Sequence, residues 1–370
     1  MKLAINLALS LAMLALFAWL AYFRGDQWHH LQLAWKSVDM DRLWPALAQM
    51  FALMVVVHLF RAWRWKYLLR PIGVELPFGR LMSVSTVGFM AILALPARLG
   101  EFVRPYLIRE PGKVSMASAL GTVAVERIVD GLLISLLVFV TCSIRAASSV
   151  PAPSWMMPTA YISLAIFGAA MLFLIFMLSA PSWTVRWTMR LTLIERFAPR
   201  LAEKLGDKMH ALIRGFRVLK DPRDLAIFVA MSVVYWSANG LSVWVLARGF
   251  DLGPGGLSVI AAFTVMGLVA VGITLPNSPG LVGQFQWFTM LGVSLYLGPA
   301  AASQDVATET GQLALYGTVL AYAIFIHLLQ VVWYIGMGAL ALASRHVSFA
   351  ELRASRKLDP EAAAGEPRQA

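Results

Sequence analysis

The sequence predicts an all-α integral membrane protein with six full transmembrane helices plus two opposed re-entrant helical hairpins in an inverted-repeat-like arrangement. Three observations predict it. The 370 residues are 59% hydrophobic and 14% charged, with mean hydropathy +0.70, which no ordinary soluble domain shows. Repeated apolar runs reach the roughly 20 residues a helix needs to cross hydrocarbon, and they lack the alternation of outer-membrane barrel strands. Two proline-glycine breaks, at Leu95-Pro96 to Gly100 and Leu275-Pro276 to Gly283, interrupt short apolar segments in the two halves.

In chain order, the first span is 3–23, read as a retained anchor because no small-x-small cleavage site follows it. The second is 44–60, followed at once by Arg61-Ala62-Trp63-Arg64-Trp65-Lys66, then Arg70 and Arg80. That bias puts loop 61–80 and the N-terminus in the cytoplasm. Segments 81–95 and 114–125 are apolar but short, and 128–143 is a full span. Loop 144–158 carries only Arg145 and reads as external, and 159–179 returns. Segment 181–224 has ten Lys/Arg against five Asp/Glu and reads as cytoplasmic. Trp183, Trp187, Leu191 and Ile194 there fit one face of an interfacial helix, or else a solvated loop with helical pieces. Span 225–247 leads outward, 257–275 and 286–297 flank the second break, and loop 298–312 has no Lys or Arg. Span 313–342 returns to a basic tail. The chain thus divides into a membrane domain, 1–345, and a basic, then disordered, cytoplasmic tail, 346–370.

Parity of crossings then constrains the breaks. Piece 81–125 must start and end on the cytoplasmic side, and piece 257–297 on the external side. Each is a re-entrant hairpin, or a pair of full crossings that would raise the total to eight or more. Short interrupted segments at matching positions in two halves point to a midplane binding site. Gly100-Glu101-Phe102 and Gly283-Gln284-Phe285 echo each other.

Charge at membrane depth marks function by default. Arg98, Glu101 and Arg104 are spaced by three, and Glu126, Arg127 and Asp130 share one helix. Two readings stand side by side: a self-neutralising ion network, or arginines left free to grip a phosphate through the planar guanidinium fork. In the second break Asn277, Ser278, Gly280, Gly283 and Gln286 offer neutral hydrogen bonds and backbone groups to a headgroup, or form a proline kink between packed helices. His58 and His327 read as helix–helix hydrogen bonders. Cys142 is the sole cysteine and reads as an inert buried thiol. No metal site, nucleotide motif or activated nucleophile occurs, so neither a cofactor nor an enzyme is expected. The net charge of +11 falls in alternate loops, which implicates anionic membrane lipids rather than nucleic acid.

These motifs resemble the lysylphosphatidylglycerol synthase transmembrane-region, or flippase-like, family. The resemblance rests on Arg61-Ala62-Trp63-Arg64-Trp65, on Pro96-x-Arg98-x-Gly100-Glu101-x-x-Arg104, on Glu126-Arg127-x-x-Asp130 and on Pro279-Gly280-x-x-Gly283. Leu281, Val282 and Gln286 depart from the family's usual glycine, leucine and acid at the second break. The resemblance implies translocation of a phosphate-bearing lipid or lipid-linked intermediate across the bacterial inner membrane. It implies no lysine transfer, because the aminoacyl-transferase domain is missing from this sequence. The alternatives are a non-catalytic accessory subunit of an envelope lipid or glycan pathway, and a membrane enzyme acting on headgroups. Both termini are expected in the cytoplasm, and a homodimer is an allowed assembly.

Overall fold

A computed structural model of the protein describes residues 38–95, 100–109, 114–148, 152–191, 199–253, 255–274, 278–298 and 310–344, with a few isolated positions besides. Span 3–23, the tripeptide Pro96-Ala97-Arg98, Asn277, Ile194 and the tail after 347 lie outside the described residues. The helices are α1 (Met40–Trp63), α2 (Trp65–Leu69), α3 (Phe78–Ala94), α4 (Val103–Leu107), α5 (Met116–Ala146), α6 (Met156–Ser179), α7 (Pro181–Leu191), α8 (Pro199–Arg214), α9 (Pro222–Ala247), α10 (Val259–Gly272), α11 (Gln284–Leu297) and α12 (Thr310–Leu342). Among the described residues there is no β-strand. Four segments, Met40–Ile72, Met156–Ser179, Pro222–Ala247 and Ala314–Leu342, are long and apolar enough to cross a membrane.

Helix starts follow from local chemistry. Asp39 accepts from the Asp41 N–H at 2.9 Å, Ser115 from Ser118 at 3.1 Å, Asp221 from Arg223 and Asp224 at 3.1 Å each, and Ser258 from Ala261 at 3.2 Å. Each oxygen satisfies a backbone donor that the first turn leaves orphaned. Helix α3 stops where it must. Leu95 is extended, φ −99° and ψ 136°, as a residue preceding proline prefers.

Two segmentations change. Segments 114–125 and 128–143 form the single 31-residue helix α5, because the intervening Glu126-Arg127 costs no helix propensity and its charges find partners. Arg145 lies in the last turn of α5, not in a loop, and its Nε donates to the Leu295 carbonyl at 2.6 Å. The chain after the first break therefore returns along 100–107. Arg80 Nη2 donates to the Leu107 carbonyl at 3.0 Å, Arg104 packs beside Gly88, and Gly100 lies against the Ala91–Ile92 backbone with no room for a Cβ. The second hairpin is α10 and α11. Thr264 Oγ1 meets Tyr296 Oη at 2.7 Å, Gly292 packs on Val265 and Gly272 on Phe288. At 14 residues each, these arms span only about 21 Å, short of the roughly 30 Å hydrocarbon core.

Helix α5 threads two apolar cores. One gathers α2, α3, α4, the first half of α5, the end of α6 and Phe216, Val218 and Phe228. The other gathers the start of α1, the second half of α5, the end of α9, both arms α10 and α11, and the start of α12. Each hairpin thus belongs to a different core. The loops follow suit. Arg70 pairs with Asp224 at 3.3 Å, and Arg80 Nη1 donates to the His346 carbonyl, so loop 61–80, segment 181–224 and the end of α12 gather at one end. Gly249 packs on Leu43 and Arg145 on Leu295 at the other.

Helix α7 carries its exposed Trp183 and Trp187 on one face, ring centroids 5.5 Å apart, with Phe176 of α6 5.3 Å from Trp183. His58 bonds Thr86 across α1 and α3 at 2.8 Å, the helix–helix role expected of it.

Candidate functional site

Glu126 lies ten residues into α5, about 15 Å from its start, which is half the depth of a hydrocarbon core. It is wholly buried. Its Oε2 accepts from Arg104 Nη2 at 2.9 Å, and its Oε1 accepts from Arg127 Nη2 at 2.6 Å and Arg64 Nη2 at 3.3 Å. One helical turn on, Asp130 takes a two-pronged grip from Arg64, Nη1 to Oδ1 at 2.5 Å and Nη2 to Oδ2 at 2.6 Å. Trp236 Nε1 adds a bond to Asp130 Oδ1 at 3.1 Å, and Arg64 Nη1 also reaches Ser232 Oγ at 2.7 Å. Arg64 and Arg104 are among the most deeply buried side chains.

The positions follow from the sequence. Glu126 and Asp130, four apart, share one face of α5. The hairpin brings Arg104 beside Gly88, where a larger residue would displace the guanidinium. Arg64 sits at the junction of α1 and α2, facing α5 and α9. Arg61, one turn earlier, lies on the ring of Phe89 with its Cζ 4.0 Å from the centroid.

The charges do not balance. Arg61, Arg64, Arg104 and Arg127 converge on Glu126 and Asp130, and Glu101 lies within electrostatic reach of Arg127. Arginine outnumbers acid even with Glu101 counted. Nor are the donors used up. Nε and Nη1 of Arg104 and Nε of Arg127 are buried with no hydrogen-bond partner among the described residues. Buried cations with spare N–H groups are costly unless something negative answers them. Arg127, its side chain 31% exposed, is the most accessible of the three arginines paired with Glu126 or Asp130.

Of the residues read from the sequence, Arg104, Glu126, Arg127 and Asp130 form this cluster. Arg64 and Arg61 were read as topology markers after a span and as part of the family's Arg61-Ala62-Trp63-Arg64-Trp65 motif, not as members of the charged site. Their signal was the side they occupy, adjacent to Trp65, rather than the number of charges. The second break is stitched to itself. Ser278 Oγ donates to the Val282 carbonyl at 2.8 Å, Gln286 Oε1 accepts from the Gly283 N–H at 2.8 Å, and Gln284 Nε2 donates to the Gly272 carbonyl at 2.9 Å. His327 lies 2.7 Å from Gln286 Nε2 and 2.9 Å from the Gly280 carbonyl, so it ties α12 to the break. Gly280 and Leu281 both have positive φ, 63° and 61°, and their turn packs against α3. Helix α3, which leads toward the first break, thus touches the turn of the second, while Ser278 Oγ, the Gly283 N–H and Gln286 Oε1 are spent on that turn.

The family model for the lysylphosphatidylglycerol synthase TM region matches residues 4–338. The chain belongs to that family. It is accordingly a membrane protein of lipid metabolism or transport, consistent with its apolar helices. Neither the curated proteins nor the solved structures contain a match.

Proposed function

We propose that this protein translocates a phosphate-bearing lipid, or a lipid-linked intermediate, between the leaflets of the bacterial inner membrane. The observation that carries the reading is the excess of buried arginine over acid around Glu126, with N–H groups of Arg104 and Arg127 left unpaired. A guanidinium fork matches a phosphate, and a bound headgroup would supply the missing negative charge while its tails stay in lipid. Arg98, within the first break and six residues before Arg104 in sequence, completes the proposed headgroup set with Glu101. Arg64 and Asp130 hold the frame.

In this reading the α3–α4 and α10–α11 hairpins re-enter from opposite faces around six full spans. The end that gathers loop 61–80, segment 181–224 and the end of α12 faces the cytoplasm, where its basic residues meet anionic lipid, and both termini lie on that side. No chemical step on the lipid is involved.

The test is reconstitution in vesicles with two fluorescent lipids of equal tails, one with a phosphate headgroup and one with an uncharged sugar. The wild type is expected to move the phosphate lipid faster than the sugar lipid. Arg104→Ala and Arg127→Ala should reduce both to the protein-free rate, as should Arg98→Ala. Equal movement of both lipids by the wild type, or none of either, would refute the reading. An accessory role has one observation in its favour, the closed Arg64–Asp130 pair. It predicts that none of these variants changes lipid movement.

A further inference from the structure

A second group of unanswered donors lies beside the Glu126 cluster. Arg61 makes no ion pair among the described residues, and its Nε is buried without a hydrogen-bond partner. Three rings surround its guanidinium: Phe89 at 4.0 Å, Tyr334 at 5.3 Å and Tyr235 at 6.0 Å from Cζ. Rings stabilise the face of a guanidinium, but they leave the N–H groups on its edge unsatisfied. His58, one turn before Arg61 on α1, is 3% exposed, and its Nδ1 also lacks a partner. In the tautomer whose Nε2 accepts from Thr86, Nδ1 carries the proton and is a free donor. The Trp333 indole, 6.0 Å from the His58 ring, has a third buried, unpartnered N–H.

Phe89 joins this group to the first. Arg104 lies on the same ring, 5.3 Å from its centroid, so the two guanidiniums flank one side chain. We infer that Arg61, His58 and Trp333 form a second anion-binding station beside the Arg104–Glu126 station. The substrate headgroup would then carry two anionic groups, a diphosphate or a phosphate with a carboxylate. This rests on the reading of the first station as a phosphate site. Phe89 spaces the two and shields each from water.

The experiment uses the full chain in lipid nanodiscs and three probes by titration calorimetry: inorganic phosphate, inorganic diphosphate and 3-phosphoglycerate. The wild type is expected to bind diphosphate or 3-phosphoglycerate at least about tenfold more tightly than phosphate, and which of them prevails identifies the second group. Arg61→Met fits the aromatic cage without charge. It should abolish that preference, bringing diphosphate and 3-phosphoglycerate down to the affinity of inorganic phosphate. Trp333→Phe keeps the ring and removes the N–H, and should cut the preference several-fold. Melting curves verify folding of each variant, and Trp333→Phe decides the matter should Arg61→Met fail to fold. Equal affinity of the wild type for all three probes overturns the second station and spares the first. Binding of no probe removes both. An Arg61→Met or Trp333→Phe variant that retains the full preference also overturns the inference.

Discussion

Replacing Arg64 by alanine should unfold the protein before it changes the chemistry of transport. Arg64 is wholly buried, and Asp130 nearly so, at 0% and 7% side-chain exposure. Its fork makes both of Asp130's short bonds, at 2.5 and 2.6 Å, which leaves Asp130 only the 3.1 Å bond from Trp236 once Arg64 is gone. A buried charge stripped of its partner costs about 3–5 kcal/mol, which is roughly two to three and a half orders of magnitude in the folding equilibrium. Losing Arg64 also removes a 3.3 Å contact from Glu126, but Glu126 keeps Arg104 and Arg127, so the larger share of the cost falls on Asp130. The assay is reversible denaturation in micelles, with lipid movement measured per folded molecule. Arg64→Met combined with Asp130→Leu should recover most of the stability, since a buried pair replaced by apolar residues of similar size is often neutral. An Arg64→Ala variant of undiminished stability that fails to move lipid would refute the reasoning and make Arg64 a headgroup ligand.

Further outcomes follow from the two hairpins. Gly100→Ala should push segment 100–107 off α3, where the added methyl meets the Ala91–Ile92 backbone; a loss of folded yield is expected, and normal yield with normal transport would contradict the hairpin geometry. Gln286→Leu should cost about 1–3 kcal/mol, because it orphans the buried Gly283 N–H and removes a partner of His327, as read by thermal unfolding. Leu281→Gly relieves a side chain at φ 61°, worth about 1–2 kcal/mol less the packing lost, whereas Leu281→Ile should destabilise. Cysteines placed at 200 and at 305 should be labelled only from the cytoplasm and only from outside, respectively; the reverse pattern would overturn the assigned orientation.

The sequence made the helix ends at the two breaks legible because proline, glycine and short apolar length are local signals. Leu95 is extended because Pro96 follows it, and α10 stops after 14 residues before a proline pair. The basic stretches 61–80 and 181–224 and the end of α12, grouped by their Lys/Arg content, also share one end of the molecule. Glu126 and Asp130 announced their common face by spacing alone. The union of 114–125 with 128–143 was not legible. Charged residues in mid-segment read as an interface between elements, and only their partners Arg64, at the α1–α2 junction, and Arg104, on α4, show them to be helix interior. Arg64 was illegible for the converse reason. A basic residue just past an apolar run ordinarily marks the membrane surface, and its burial depends on α5 and α9, remote in sequence. The polar residues of the second break suggested ligands, but Ser278 and Gln286 satisfy the turn itself. Periodicity carries no information about which of two partners a hydrogen-bonding group will choose.

The central claim is that an arginine with unanswered donors grips a phosphate during translocation. Arg104→Lys tests it most directly. Lysine keeps the charge that faces Glu126 but not the planar fork. Movement of a phosphate lipid in vesicles, measured per folded molecule, should fall by about tenfold or more, one tenfold step being about 1.4 kcal/mol, while stability stays near that of the wild type. A lysine variant that transports at the wild-type rate would contradict the account.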